Sequence, residues 1–258
     1  TDWMRARAMR PLIPIWRGLR VLLHLLTGAA LLAIPMALPR ALGHRPGWVS
    51  ALTCWWYRRL CRILRIRVEA VGALAPRILL VANHVSWLDI PVLGAQGDIA
   101  FLSKAEIRAW PLIGWMSAVT GTLFIHRGAH QAREMADQIA ARARAGQVVV
   151  IFPEATTSDG SRLLPFHPRL FAAAQASGAG LQPVALRYGD PDRLDQVAPF
   201  TGDDKPWPHF LRVLKHPEIR VQVRFLPAIE SAGLDRKAMA ATCRRAIGEA
   251  LELRDRAP

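Results

Sequence analysis

Lysine is almost missing from this chain. Only Lys104, Lys205, Lys215 and Lys237 stand among 34 basic residues, so the arginine bias reads as genome composition rather than function. Acidic residues are also few, 20 against those 34. The resulting net charge of +14 implies an anionic partner: nucleic acid, anionic lipid, or an acidic cofactor or carrier protein. Cysteine is scarce as well. Cys54, Cys61 and Cys243 form neither a disulfide framework nor a metal-ligand spacing, which fits a reducing compartment and plain packing roles. Neither common glycine-rich phosphate loop is present, so nucleotide binding has no support, and no cofactor or metal is expected.

Apolar residues are in excess, at 52% with mean hydropathy +0.15, and they crowd toward the N-terminus. Arg5, Arg7, Arg10, Arg17 and Arg20 precede a run from Val21 to Leu38 whose only polar members are His24 and Thr27. Eighteen residues at about 1.5 Å each reach about 27 Å, just short of a hydrocarbon core of about 30 Å. Pro35 and Pro39 break its end, and no clear small-x-small cleavage site of a signal peptide precedes the next helix. A second segment, Trp48 to Ile66, carries Trp48, Leu52, Trp55, Trp56, Leu60, Ile63 and Leu64 at helical spacing, with Arg58, Arg59, Arg62 and Arg65 in its C-terminal half. Tryptophan beside arginine suits the plane of a membrane interface. The early arginines favour a cytoplasmic N-terminus, yet a single span would then carry the rest of the chain outside. Residues 1–66 are therefore expected to form a membrane-associated helical hairpin that enters one leaflet and returns.

From residue 67 to 258 short apolar stretches alternate with helical ones, the mark of an α/β domain. Strands are expected at Arg67 to Val71, Ile78 to Ala82, Ile99 to Leu102, Thr122 to Ile125, Val148 to Phe152, Leu181 to Leu186 and Ile219 to Leu226. Helices are expected at Ile90 to Gln96, Ala105 to Val119, Gln131 to Ala145, Pro168 to Ser177, Phe210 to Leu214 and Leu234 to Arg256. The fold class is α/β, with a mixed, largely parallel sheet flanked by helices.

The chemistry points to Asn83-His84-Val85-Ser86-Trp87-Leu88-Asp89, directly after the apolar strand Ile78 to Ala82. A histidine at the end of a core strand sits where open α/β sheets place their ligands. An imidazole is a base at neutral pH, and a nearby carboxylate would fix its tautomer and raise its basicity. With eight histidines in the chain such a pair arises readily by chance, so its weight comes from its company.

That company is Gly121-Thr122-Leu123-Phe124-Ile125-His126-Arg127, then Phe152-Pro153-Glu154-Ala155-Thr156-Thr157-Ser158-Asp159-Gly160, then Gln182-Pro183-Val184-Ala185. Together the four stretches resemble, in order and spacing, the motifs of the glycerolipid acyltransferase family related to bacterial lysophosphatidic acid acyltransferase. The likeness runs from Val71 to about Val223. It implies a membrane-bound O-acyltransferase that moves a fatty acyl group from acyl-CoA or acyl carrier protein to the sn-2 hydroxyl of lysophosphatidic acid, at the cytoplasmic face of a bacterial inner membrane. In that reading His84 is the base, Asp89 orients it, and the acceptor hydroxyl attacks the thioester directly. Arg127 and Lys104 would bind the acceptor phosphate, and Glu154 would hold the glycerol backbone or brace Arg127. The third motif departs from the family: Ala155 and Thr157 stand where many members have glycine and arginine. Thr156 and Thr157 would then offer hydroxyls, and Arg162 is a substitute cation. Relatives acting on non-phosphate acceptors such as lyso-ornithine lipid are similar to this variant, so an acyltransferase for lyso-ornithine lipid or another lysolipid is the alternative.

Other residues carry plainer expectations. His126, His130, His167, His209 and His216 read as loop or helix-edge residues without a catalytic role. Trp110 and Trp115, with Leu112, Ile113 and Met116, read as core or as the lining of an acyl-chain groove. A non-catalytic lipid-binding protein would be expected to lose His84 or Asp89. A nucleic-acid binder is disfavoured because the arginines mix with tryptophan-rich apolar sequence.

Overall fold

The computed structural model describes residues 12–37, 47–125, 131–190, 192–202 and 204–253. The chain opens with two helices, α1 (Leu12–Ala37) and α2 (Gly47–Leu64). Strand β1 (Ile66–Val71) follows, then β2 (Leu79–Ala82), α3 (Asp89–Gly94), β3 (Ile99–Ala100) and β4 (Leu102–Lys104). A 3₁₀ turn leads to α4 (Ile113–Val119), β5 (Leu123–Ile125), α5 (Gln131–Arg144) and β6 (Val148–Ile151). The remainder comprises α6 (Ala172–Ser177), β7 (Leu181–Asp190), β8 (Arg193–Leu194), α7 (Pro206–Lys215), β9 (Ile219–Phe225) and α8 (Arg236–Ala250).

The main sheet runs β1-β9-β7-β2-β6-β3, with β8 paired to β7. Every pair along that path is parallel except β7 with β9. Strands β2 and β6 are buried at every position, as their unbroken aliphatic sequences require of central parallel strands. Helices close both faces. One core joins α2, α3 and α7 to the sheet through Leu64, Leu80, Val92, Val213 and Val223, and the other joins α5, α6 and α8 through Leu79, Ile139, Phe171, Met239 and Ile247.

Several segments differ from the sequence expectation: β7 runs to Asp190 rather than Leu186, α7 starts at Pro206 rather than Phe210, α8 spans Arg236–Ala250 rather than Leu234 to Arg256, and Pro168 to Ser177 divides into a 3₁₀ turn at Pro168–Phe171 and α6. Two others are broken more deeply. Ile99 to Leu102 is not one strand: β3 pairs with β6, while β4 pairs with β5 in a separate two-stranded sheet. Phe101 is buried at the junction, and its carbonyl accepts from Leu123 N at 2.9 Å. Which partner each half takes depends on distant strands, which an apolar run does not encode. Ala105 to Val119 is likewise broken, into a 3₁₀ turn at Ala105–Ala109 and α4. Pro111 has no N–H to continue a helix, and the chain reverses through Leu112 at φ 63°. Gly114 then lies so close to the Arg108 carbonyl that a Cβ would sit 2.3 Å from that oxygen. Trp110 and Ile113 end up exposed rather than in the core, while Met116 is buried.

Helix α1 has two faces. Arg17, Val21, His24 and Leu32 form a buried stripe at helical spacing against the domain. His24 Nε2 donates to the Trp56 carbonyl at 3.0 Å, Trp56 Nε1 donates to the His24 carbonyl at 3.2 Å, and the two rings stack. Arg17 Nη1 reaches the Leu214 and His216 carbonyls at 2.9 and 2.5 Å, capping α7. The opposite face exposes Ile13, Ile15, Trp16, Leu19, Leu22, Leu23 and Leu26. Residues Ile13–Leu32 are long and apolar enough to cross a membrane. In α2, Trp48 and Trp55 are exposed and Arg59 lies over the Trp55 ring, but Arg58 turns inward to the Ala95 carbonyl behind α3.

Candidate active site

Beyond Ala82 the β2 backbone leaves the sheet, and the Asn83 side chain takes over its pairing. Its amide donates to the Leu186 carbonyl at 2.9 Å and accepts from Leu186 N at 2.8 Å. This side-chain rung extends the β2–β7 ladder by one step and sets His84 just past the C-terminal ends of the central parallel strands.

Asp89 is the first residue of α3 and is wholly buried. Its Oδ2 accepts from Val85 N at 2.8 Å, Ser86 N at 3.0 Å and His84 Nδ1 at 2.7 Å. The turn from 84 to 89 thus wraps around its own terminal carboxylate, which is how five residues suffice to bring the two side chains together. A carboxylate only accepts, so Nδ1 carries the hydrogen and the neutral ring keeps its lone pair on Nε2. The imidazole stacks on Phe152 at 4.1 Å and is 21% exposed, and Nε2 has no hydrogen-bond partner among the described residues. A buried acceptor on one nitrogen and an open lone pair on the other would let His84 take a proton from a group outside.

Glu154 lies behind this pair. Its Oε1 accepts from His84 N at 2.8 Å and its Oε2 from Leu164 N at 2.9 Å. Burial pushes its carboxyl above the ordinary carboxylate range, while the two backbone N–H donors pull the other way. Both oxygens are thereby engaged in holding backbone, and Glu154 pins the backbone of His84. Ala155 follows at φ 57°, in the left-handed region where glycine is at ease. The chain then folds back so that Ser158 N donates to the His84 carbonyl at 2.8 Å. Thr156 is exposed. Thr157 is half-buried, its Oγ1 donating to the Phe200 carbonyl, and Phe200 N in turn donates to the Val85 carbonyl at 3.0 Å. Two loops therefore clamp residues 84 and 85 from either side.

Lys104 ends β4 directly beside Ile125, so the small sheet runs its backbone alongside the strand that leads to residue 127. Arg127 itself lies outside the described residues. Arg162 is exposed. Among the described residues no group of three or more His, Cys, Asp or Glu stands ready to hold a metal ion.

Several contacts around the site have no counterpart in the sequence reading. Tyr188 donates its phenol to Asp89 Oδ1 at 2.8 Å. The period of two along β7 puts Tyr188 on the same face as Leu186 and Val184, and that period was the available signal. His209, read as a loop or edge residue, is fully buried. Its Nδ1 accepts from Trp87 Nε1 at 2.9 Å, and its Nε2 donates to the Pro199 carbonyl at 2.9 Å. It is thereby held neutral as a brace for the turn between His84 and Asp89.

A protein-family model described as Acyltransferase matches residues 65–187. The lyso-ornithine lipid O-acyltransferase of Pseudomonas aeruginosa is 46% identical over 202 residues, covering 78% of this chain and 78% of that protein. The chain belongs to the acyltransferase family. Another member, the 1-acyl-sn-glycerol-3-phosphate acyltransferase of Neisseria gonorrhoeae, is 36% identical over 167 residues, covering 63% of this chain and 66% of that one. The crystal structure of the 1-acyl-sn-glycerophosphate acyltransferase of Thermotoga maritima superposes with a TM-score of 0.73 over 95% of this chain and 96% of that one, at 18% identity, and shares the fold. The expected fold class and family hold, and the protein is an acyltransferase of the lysophospholipid type. The segment matched by the family model contains His84, Asp89 and Glu154 and stops one residue short of Tyr188.

Proposed function

We propose that the protein acylates the free hydroxyl of lyso-ornithine lipid, using acyl-CoA or acyl carrier protein as donor. The acceptor hydroxyl gives its proton to His84 Nε2 as its oxygen attacks the thioester carbonyl. Collapse of the tetrahedral adduct breaks the C–S bond, and the proton on Nε2 passes to the leaving sulfur. Asp89 keeps Nδ1 as the donor side throughout and stabilises the imidazolium that forms between the two transfers. The observation that carries this reading is the 2.7 Å contact between Nδ1 and a fully buried carboxylate, with Nε2 left open.

The third motif supports this acceptor. Thr157 stands at the arginine position and spends its hydroxyl on the Phe200 carbonyl, so position 157 itself offers no cation for a phosphate dianion, and the exposed Arg162 is the cation of the loop. The same loop carries Asp159, whose carboxyl is held below the ordinary carboxylate range by the hydrogen bonds it accepts from Ser161 and by the charge of Arg162. A carboxylate beside a guanidinium complements an ornithine head group, which brings an ammonium and a carboxylate. Four relatives at 34 to 46% identity carry the lyso-ornithine name. A second reading, lysophosphatidic acid as acceptor, is favoured by Lys104 lying alongside the strand that leads into Arg127. The exposed apolar face of α1 and the exposed Trp48 and Trp55 would rest in the interface of an anionic membrane, at the cytoplasmic face of a bacterial inner membrane.

The test is thiol release by purified protein in detergent with a panel of lyso-ornithine lipid, lysophosphatidic acid and lysophospholipids, all with one donor. Turnover that requires lyso-ornithine lipid is expected, and its loss by about a hundredfold or more in His84→Ala. A higher kcat/KM for lysophosphatidic acid would transfer the assignment to the second reading. Full turnover by His84→Ala would sink the mechanism.

A further inference from the structure

We propose that Tyr188 is a positioning residue of the acyl transfer: its phenol holds the outer oxygen of Asp89 so that the inner one stays fixed on His84. This role rests on the chemistry assigned to His84 above.

The two oxygens of Asp89 are unequally served. Oδ2 takes three donors, the Val85 and Ser86 amides and His84 Nδ1, whereas Oδ1 takes Tyr188 and no other donor among the described residues. Asp89 is 0% exposed, so bulk water does not reach Oδ1. Without the phenol, Oδ1 would be a bare carboxylate oxygen in an apolar core. Such a group either takes up a proton or draws more strongly on its remaining donors. Protonated, Asp89 no longer stabilises an imidazolium. Left charged with one donor fewer, it binds the imidazolium more tightly. Either way the working state of the pair, with Asp89 charged and His84 holding an open lone pair, is reached only at higher pH.

Sequence and topology together deliver the phenol. Strand β7 runs parallel to β2 on one side and antiparallel to β9 on the other, where Tyr188 sits opposite Val221. Asn83 locks the β2–β7 register at Leu186, and the next residue of β7 on the same face is Tyr188. The other ionisable groups near this pair are Cys61 from α2, Asp195 beyond β8, and Glu154 on the far side of His84. Asp195 lies 3.8 Å from His216. Burial and the neighbouring carboxylates hold the phenol far above its ordinary ionisation range, so it remains a donor throughout any workable assay.

Tyr188→Phe removes one oxygen and keeps the ring. We expect kcat to fall about tenfold and the acid limb of kcat/KM to rise by roughly half to one pH unit. Val221→Ala, across the ladder from Tyr188, removes packing while sparing the phenol. It should lower Tm and leave the limb in place. In the background of Asp89→Asn, adding Tyr188→Phe should cost nothing further, because the phenol acts through the carboxylate. An unmoved acid limb in Tyr188→Phe, or losses that multiply in the double variant, would overturn the role. Full activity of His84→Ala would instead remove the chemistry on which the role depends, so the two failures are distinguishable.

Discussion

Thr157→Arg tests the acceptor assignment most directly. The substitution restores the cation of the family's third motif at a half-buried position one residue before Ser158, whose amide holds the His84 carbonyl. A guanidinium hydrogen-bonded to phosphate contributes about 1.5–3 kcal/mol, which corresponds to about a ten- to 150-fold gain in kcat/KM for lysophosphatidic acid. The same change removes the hydroxyl that Phe200 accepts from, at a cost to stability of about 1–2 kcal/mol. Since Phe200 N holds the Val85 carbonyl, some loss of kcat with every acceptor is expected. Thr157→Val separates the two effects, because it deletes the hydroxyl without adding charge. It should lower Tm by roughly 2–8 °C and reduce turnover equally for all acceptors. The assay is kcat/KM for lyso-ornithine lipid and lysophosphatidic acid with one donor, measured on wild type and both variants. Selectivity should move toward the phosphate acceptor in Thr157→Arg alone. An unchanged ratio between acceptors in that variant would refute the reasoning that residue 157 faces the acceptor head group.

Two further predictions concern the braces. Glu154→Ala leaves the His84 and Leu164 amides without their acceptor, and should cost about 2–4 kcal/mol of stability together with most of kcat. A melting temperature equal to wild type with only a raised acceptor KM would place Glu154 on the acceptor instead. His209 should make the fold acid-sensitive. Burial lowers its pKa below the ordinary value of 6.5, helped by Arg212 and opposed by the Pro199 carbonyl and Asp204. Its folded pKa is depressed, so its stabilisation is complete above about pH 6.5 and is lost as pH falls from there through the folded pKa. Protonation would set an N–H against Trp87 Nε1–H. Thermal melts from pH 7.5 to 5 should decline in wild type, and more shallowly in His209→Gln.

The strands around the site were legible because buried parallel strands leave near-continuous aliphatic runs. Ile78 to Ala82 and Val148 to Phe152 were located to within one residue. The His84 and Asp89 pair was legible because strand end, turn and helix start are local features. Breaks in regular structure were harder. The junctions at Phe101 and Leu112 depend on strands paired far along the chain and on a φ of 63° that no residue type there announces.

The sequence carried the reaction class through its resemblance to a known family, since four motifs in that family's order and spacing are legible before any fold is known. The sequence also determined that the first helix is apolar enough for lipid. Only the tertiary structure decided which groups serve that chemistry from a distance. Tyr188 is 99 residues from Asp89, Glu154 is 70 from His84, and His209 is 122 from Trp87. Burial makes each of these contacts count, because an ion or amide withdrawn from water needs its partners inside the protein. Which partner it finds is set by strand order, which no local stretch of sequence contains.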